Sequence, residues 1–465
     1  MTPIKNNSFW PETGKTLKLA FPIMAGQVSQ MLMGITDTIM IGKIGTIPLA
    51  AAAFVNMLIH FPFVLGIGLM AAIAVQVSHA FGAKQPAECG ESLKHGLLIS
   101  VTSGLLMALL LTGGHGYYHL LGQPEEVIQT ARPYLNWISW SLPFALVIMC
   151  LRNFSEGQSL PWQPFWIILS GVILNAVLNW IFIFGKFGVP AMGIEGAGIA
   201  TFIARVITVI GLFEYMITTK RFKEALPLDW WRGLEWKRVK SLMGLGTPIG
   251  LQILLEAGAF GIATIMLGWI STQALAAHQI ALTCAATAFM FPLGLSMAVT
   301  IRVGQCAGSG QAHKAKTVWS GALILGIFIM TTTALVFLIF GKQIASLFAG
   351  EQSVVALTTR LLIIAGIFQI FDGGQVISTG ALRGLKDVRI PTGIAFIAYW
   401  VVALPLGYFL AFPMGMSSQG VWAGLAAGLA IAAVTLSLRF YLMETHLIRR
   451  MKHQDKVNLK KLVLD

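Results

Sequence analysis

Three acidic side chains interrupt apolar runs of this sequence: Asp37 in "GITDTIM", Glu256 in "LLEAGAF" and Asp372 in "IFDGGQV". A carboxylate at bilayer depth costs about 2.5–3.5 kcal/mol on insertion scales, so each acid needs a role. One role is purely structural: the acid is neutral, or it pairs with a buried arginine, for which Arg205 and Arg360 are available. Three acids without as many bases at the same depth leave negative charge over, and that charge attracts a proton, a metal cation or a cationic substrate. Asn175 and Asn179 are four residues apart and so share one helix face. With Thr201 they offer amide and hydroxyl oxygens beside Asp37. Such oxygens suit a hard cation such as Na+, or a hydrogen-bonded protonatable carboxylate, and they also serve as packing glue between membrane helices. His278 and Gln279, in "AAHQIAL", fall close to the Glu256–Asp372 pair as secondary candidates, with the rank of His278 kept low because a lone histidine is more often structural.

The elements that must hold these groups are set by composition. Of 465 residues, 56% are hydrophobic and only 11% are charged, against about 25% charged in an ordinary soluble domain. The charges cluster between long apolar stretches, the pattern of a helical protein that crosses a membrane many times. The net charge of +13 therefore reads as basic residues on one membrane side and not as a nucleic-acid surface. Cys89, Cys150, Cys284 and Cys306 show no paired spacing, so neither a disulfide framework nor a zinc site is implied. The apolar run after the polar start is too long for a signal-peptide core and reads as an uncleaved first span.

Stretches long enough to span fall near 16–41, 49–79, 94–113, 130–150, 163–184 and 193–218, then near 241–268, 274–306, 317–340, 353–382, 391–412 and 417–443. This predicts an all-α integral membrane protein of about twelve transmembrane helices. A six-helix lobe over 1–218, a basic linker over 219–240, a second six-helix lobe over 241–443 and a basic tail over 444–465 divide the chain. The odd-numbered loops carry only Lys43, Lys186 and Lys342, while the other loops and both ends hold most of the basic residues. By the positive-inside rule both termini and the linker are cytoplasmic.

The halves repeat. "TIMIGKIGTIPLAAA" from Thr38 returns 226 residues later as "TIMLGWISTQALAAH", and the same offset aligns Pro22 with Pro248 and Phe63 with Phe289. Each half has an even number of spans, so the repeats run parallel, with a central cavity expected between two lobes. The acids do not repeat: Asp37 falls on Ala263 and Glu256 on Gln30. The scaffold is shared and the polar sites are not, which favours function over packing for the acids.

Gly420, Gly424 and Gly428, at every fourth residue of the last span, predict a close-packed helix face. "GIEGAGIA" lacks a preceding strand and is no nucleotide loop. No metalloprotease pair, nucleophile elbow or Walker loop occurs, so the chain reads as no enzyme, with no cofactor, and any uphill work must draw on an ion gradient.

The succession "GITDTIMIGKIG", "NAVLNWIFIFGKFG", "GIEGAGIAT", "LLEAGAF", "AAHQIAL", "FMFPLGLSMAVTIRVGQ" and "ALRGLKD" resembles the multidrug and toxic compound extrusion (MATE) transporters, most of all the NorM-type branch. The resemblance runs over nearly the whole chain. It implies export of organic cations and amphipathic drugs across a bacterial inner membrane in antiport with Na+ or H+, by alternating access of two lobes. It also implies a first-lobe site at Asp37, Asn175, Asn179 and Thr201 and a second-lobe cation site at Glu256 and Asp372. Phe289 departs from some NorM-type members, which have tyrosine there, so this secondary candidate offers no phenolic oxygen to an ion. Drugs and membrane lipid are the expected partners, nucleic acid is not, and nothing demands more than a monomer. A flippase for lipid or lipid-linked sugar is the alternative from another substrate class; few bases at depth speak against it. A channel or receptor is the third, disfavoured by a two-lobed repeat with unequal acids.

Overall fold

The computed structural model of the protein describes residues 9–227, 229, 230 and 233–462, with 446–462 described by backbone alone. The first eight residues, three positions of the basic linker (228, 231 and 232) and the last three of the basic tail lie outside the described residues. The described chain is helical throughout, and twelve helices are long and apolar enough to cross a membrane. They are α1 (Phe9–Gly42), α2 (Thr46–Gly82), α3 (Pro86–Gly113), α4 (Glu125–Gly157), α5 (Trp162–Phe184), α6 (Gly193–Thr218), α7 (Trp236–Ile270), α8 (Thr272–Gly308), α9 (Ala312–Phe348), α10 (Gln352–Gly384), α11 (Arg389–Ala411) and α12 (Ser417–Leu462). The protein is a multi-pass integral membrane protein of the expected all-α class.

Most helices outrun the apolar stretches that announced them. Helix α2 has 37 residues, roughly 55 Å at the helical rise, against a hydrocarbon core of about 30 Å. Hydropathy marks only the part that lipid requires. Polar ends continue because backbone hydrogen bonding continues.

Local sequence sets the ends. Ser271 caps α8 by accepting from the Ala274 amide at 3.0 Å. Pro86 starts α3, where its missing N–H costs nothing. Gly185 ends α5 at a φ of +68°, and a Cβ there would fall 2.7 Å from the Ala191 nitrogen. Only glycine permits this turn, which sends the chain back into α6 and brings Thr201 beside α5.

Two compact units emerge. One holds residues 25–81 and 85–254, the other 1–24, 82–84 and 255–465. In the first, α4 packs on α3 and α6, and α5 on α6, over a core that includes Ile73, Leu93, Leu146 and Phe154. In the second, α10 packs against α8, α9 and α12, over a core that includes Leu361, Phe368, Tyr399 and Trp422.

The predicted glycine face of α12 is observed. A Cβ on Gly428 would fall 2.6 Å from the Ala398 carbonyl oxygen, and one on Gly420 2.5 Å from the Ala411 nitrogen, so α12 meets α11 backbone to backbone. Glycine contacts also follow the repeat. Gly68 of α2 lies against Gly250 of α7 in one unit; its counterpart Gly294 of α8 lies against Met24 of α1 in the other, 226 residues on.

Candidate functional site

Asp37 sits five residues before the end of α1 and is partly exposed. The Asn179 amide of α5 donates to Asp37 Oδ1 at 2.5 Å and lies 3.2 Å from Asn175 Oδ1. The Asn175 amide donates to Thr201 Oγ1 of α6 at 3.2 Å, and that hydroxyl donates to the Ala197 carbonyl at 3.0 Å. All four residues predicted for this site are thus joined in one chain of hydrogen bonds. Asn175, Asn179 and Thr201 are buried, at 1%, 0% and 4% exposure. Helical spacing explains the alignment: residues four apart on α5 stack on one face, which α6 covers.

Direct neutralisation does not account for Asp37. It makes no ion pair among the described residues. Arg205 of α6 interacts with it electrostatically but spends Nη1 on the Ser141 hydroxyl of α4 at 2.6 Å. The Asn179 carbonyl oxygen is buried and receives no hydrogen bond from any described residue. A buried acceptor without a donor is costly, and a cation or a carboxyl proton beside Asp37 would remove that cost. The donor set therefore fits a hard cation or a proton.

The second cluster forms on α7, α10 and α11. The Gln375 amide of α10 donates to Glu256 Oε1 of α7 at 2.8 Å. Asp372, one turn before Gln375, lies within electrostatic reach of Glu256, and Tyr399 of α11 within reach of both acids. Tyr399 and Trp400 stand in a π-helical stretch, Ile397–Ala403, that interrupts α11; such stretches are rare and frequent at functional sites. The Trp400 indole donates to the Leu255 carbonyl at 3.0 Å, which pins the backbone next to Glu256. Arg360, the base that the sequence offered to these acids, is exposed and lies roughly 18 Å along α10 from Asp372 at the helical rise; Arg383, further along α10, is the base that interacts electrostatically with Glu256.

The secondary candidates have other surroundings. His278 is fully buried, its Nε2 is 2.9 Å from the Thr264 hydroxyl, and its ring meets Trp422 edge-on at 5.7 Å. Gln279 is exposed, and Phe289 is partly buried on the same helix, α8. Sequence reading missed Ser141, Gln375, Arg383, Tyr399 and Trp400. For Gln375 a signal existed, since it follows Asp372 by three residues and so shares its face. The others are a guanidinium near a helix end and single polar rings or hydroxyls in apolar helices, and only their neighbours reveal them.

Carboxylates and amides held inside the spans of a many-helix membrane protein are the groups that moving a solute across the bilayer requires, and the family match makes the chain a transporter by class. The MatE family profile matches the chain twice, over 22–181 and 248–409, so its two copies begin at Pro22 and Pro248, 226 residues apart like the repeat itself. The chain is 36% identical over 451 residues to a probable multidrug resistance protein NorM of Bradyrhizobium diazoefficiens, covering 96% of each. It superposes with a TM-score of 0.88 on an outward-facing multidrug resistance MATE family transporter of the MOP superfamily, at 18% identity over 94% of this chain and 97% of that one. A mutant of the Vibrio cholerae MATE transporter VcmN gives 0.87 at 22% identity, over 94% and 98%. The chain belongs to the MATE family of secondary transporters, and it is not an enzyme.

Proposed function

We propose that this protein exports organic cations and amphipathic drugs from the bacterial cytoplasm in antiport with Na+ or H+. It does so in the inner membrane by alternating access, as a NorM-type transporter with both termini in the cytoplasm. The observation that carries the reading is Asp37 held by Asn179 at 2.5 Å with no ion pair among the described residues, beside a buried amide oxygen that accepts no hydrogen bond from any of them. A carboxylate in that state binds one cation well and cannot fully satisfy two at once. Ion and drug therefore weaken each other's binding, and linkage makes that coupling reciprocal. The naming of similar proteins as multidrug resistance proteins supports the substrate class, and the lysine distribution between loops supports the orientation.

Ion entry from outside at Asp37 and at Glu256–Asp372 releases the drug there. The ion-loaded protein then opens inward, delivers the ion down its gradient and accepts drug from the cytoplasm. The test is the purified protein in liposomes, with Na+ and pH gradients imposed separately against uptake of a fluorescent cation. Uphill movement driven by one gradient is expected. Movement driven by neither overturns the antiport reading, and movement of lipid-linked sugar in its place supports the flippase.

A further inference from the structure

We propose that Ser141 is a positioning residue: it holds the Arg205 guanidinium off Asp37 and so leaves that carboxylate open to a transported cation. The inference rests on the antiport reading for its purpose, but the restraint itself can be measured without transport.

An arginine inside a membrane span is costly, and its best partner there is a carboxylate. Arg205 has one within its own compact unit, since Asp37 lies within its electrostatic reach. It follows Thr201 by four residues, so its stem rises from the α6 face that carries the hydrogen-bond chain to Asp37. Yet the two form no ion pair. Among the described residues the one hydrogen bond of the guanidinium is Nη1 to the Ser141 hydroxyl of α4, at 2.6 Å. A full charge has taken a neutral partner with an acid nearby, and that needs a cause.

The cause is built into α4. The Ser141 hydroxyl gives its proton to the Ile138 carbonyl at 2.6 Å, which leaves only lone pairs to face Arg205. The side chain is 0% exposed, so water does not compete for them. Two residues on, Pro143 packs so closely on Gly104 of α3 that a Cβ on the glycine would fall 2.4 Å from the Pro143 Cα. The acceptor is oriented and its helix is fixed.

Field and contact differ in consequence. Parked on Ser141, Arg205 acts on Asp37 through space, and Oδ2, the oxygen that Asn179 does not use, stays open on a partly exposed side chain. Released, the guanidinium becomes a tethered rival at an effective concentration on the order of millimolar. It would form the bidentate pair that arginine and carboxylate favour, and ion and drug would have to displace a part of the protein before binding.

The set is kept or lost as a whole. At the offset of 226, Asp37, Ser141 and Arg205 fall on Ala263, Ile367 and Ile431. The half that lacks this acid lacks the base and its holder too, which fits three groups with one task.

The experiment measures binding of tritiated tetraphenylphosphonium to the purified full-length protein, with no gradient imposed. Ser141→Ala frees the guanidinium and is expected to weaken binding about tenfold, the scale of one hydrogen bond to a charged group. Ser141→Thr keeps the hydroxyl and is expected to keep the binding. Combining Ser141→Ala with Arg205→Met removes the rival and is expected to recover most of the loss, a rescue that a merely structural serine would not give. Ser141→Cys, a weaker acceptor of similar size, replaces the alanine variant if that one does not fold. Modification of Asp37 by dicyclohexylcarbodiimide, read by mass spectrometry, is expected to follow the same order without any substrate, because an open carboxyl reacts and one paired with Arg205 does not. Binding that Ser141→Ala leaves unchanged, a loss that Arg205→Met does not relieve, or labelling that no variant alters overturns the proposal. Labelling in the expected order without tetraphenylphosphonium binding sustains the proposal and counts against the organic-cation reading instead.

Discussion

Arg238 at the start of α7 grips Glu88 at the start of α3 through two hydrogen bonds, Nη1 to Oε2 at 2.6 Å and Nη2 to Oε1 at 3.1 Å. The residue equivalent to Arg238 in the repeat, 226 positions earlier, is Glu12. Glu12 forms its own ion pair with Arg302 of α8 within the other compact unit. The repeat therefore keeps a clamp at the first turn of both α1 and α7 and reverses the sign of the clamping residue. Arg238 and Glu88 keep 31% and 47% of their side chains exposed, so the pair contributes only about 1 kcal/mol to stability. Glu88→Arg alone should lower the denaturation midpoint, and the swap Glu88→Arg with Arg238→Glu should restore most of it. A double-mutant cycle with no coupling would show that the clamp is ornamental.

Asp37→Asn preserves shape and removes charge. The protein should insert and purify normally, while gradient-driven efflux is lost or uncoupled from the ion. Transport by this variant at the wild-type rate in liposomes would remove Asp37 from the coupling site.

Asn179→Leu removes the amide that holds Asp37 at 2.5 Å. Loss of a hydrogen bond to a charged group should weaken cation activation of transport about tenfold. Asn175→Ala, which loses a 3.2 Å contact to the neutral Thr201 hydroxyl, should cost less. The ranking is checked by the ion concentration that gives half-maximal efflux.

Gly428→Leu should be among the most damaging small changes, since even a Cβ would stand 2.6 Å from the Ala398 carbonyl. Overpacking of this kind costs about 1–3 kcal/mol, visible as a lower midpoint in thermal unfolding followed by size-exclusion chromatography. Gly393, where a Cβ meets nothing within 4 Å, should tolerate the same substitution.

His278 has a structural partner in Thr264, at 2.9 Å. His278→Gln should therefore change stability and leave the ion dependence of transport where it was. A shift in the half-saturating ion concentration would return His278 to the second cluster.

Hydropathy determined the number of helices, because burial in lipid demands about twenty apolar residues wherever the chain crosses, and residue identities at an offset of 226 exposed the repeat. Hydropathy also exposed Asp37, Glu256 and Asp372, since a charge in such a run is conspicuous. The i, i+4 spacing of Asn175 and Asn179 placed them on one face before any fold was known. What one dimension could not carry was pairing between helices. Whether Arg205 answers Asp37 or Ser141, whether His278 faces an acid or Trp422, and whether Gln375 reaches Glu256 depend on which faces of distant helices meet. The π-helical stretch that sets Tyr399 and Trp400 beside α7 has no periodicity that sequence reading detects. Cost in lipid is written along the chain; compensation for that cost is found across it, and only the packed helices decide it.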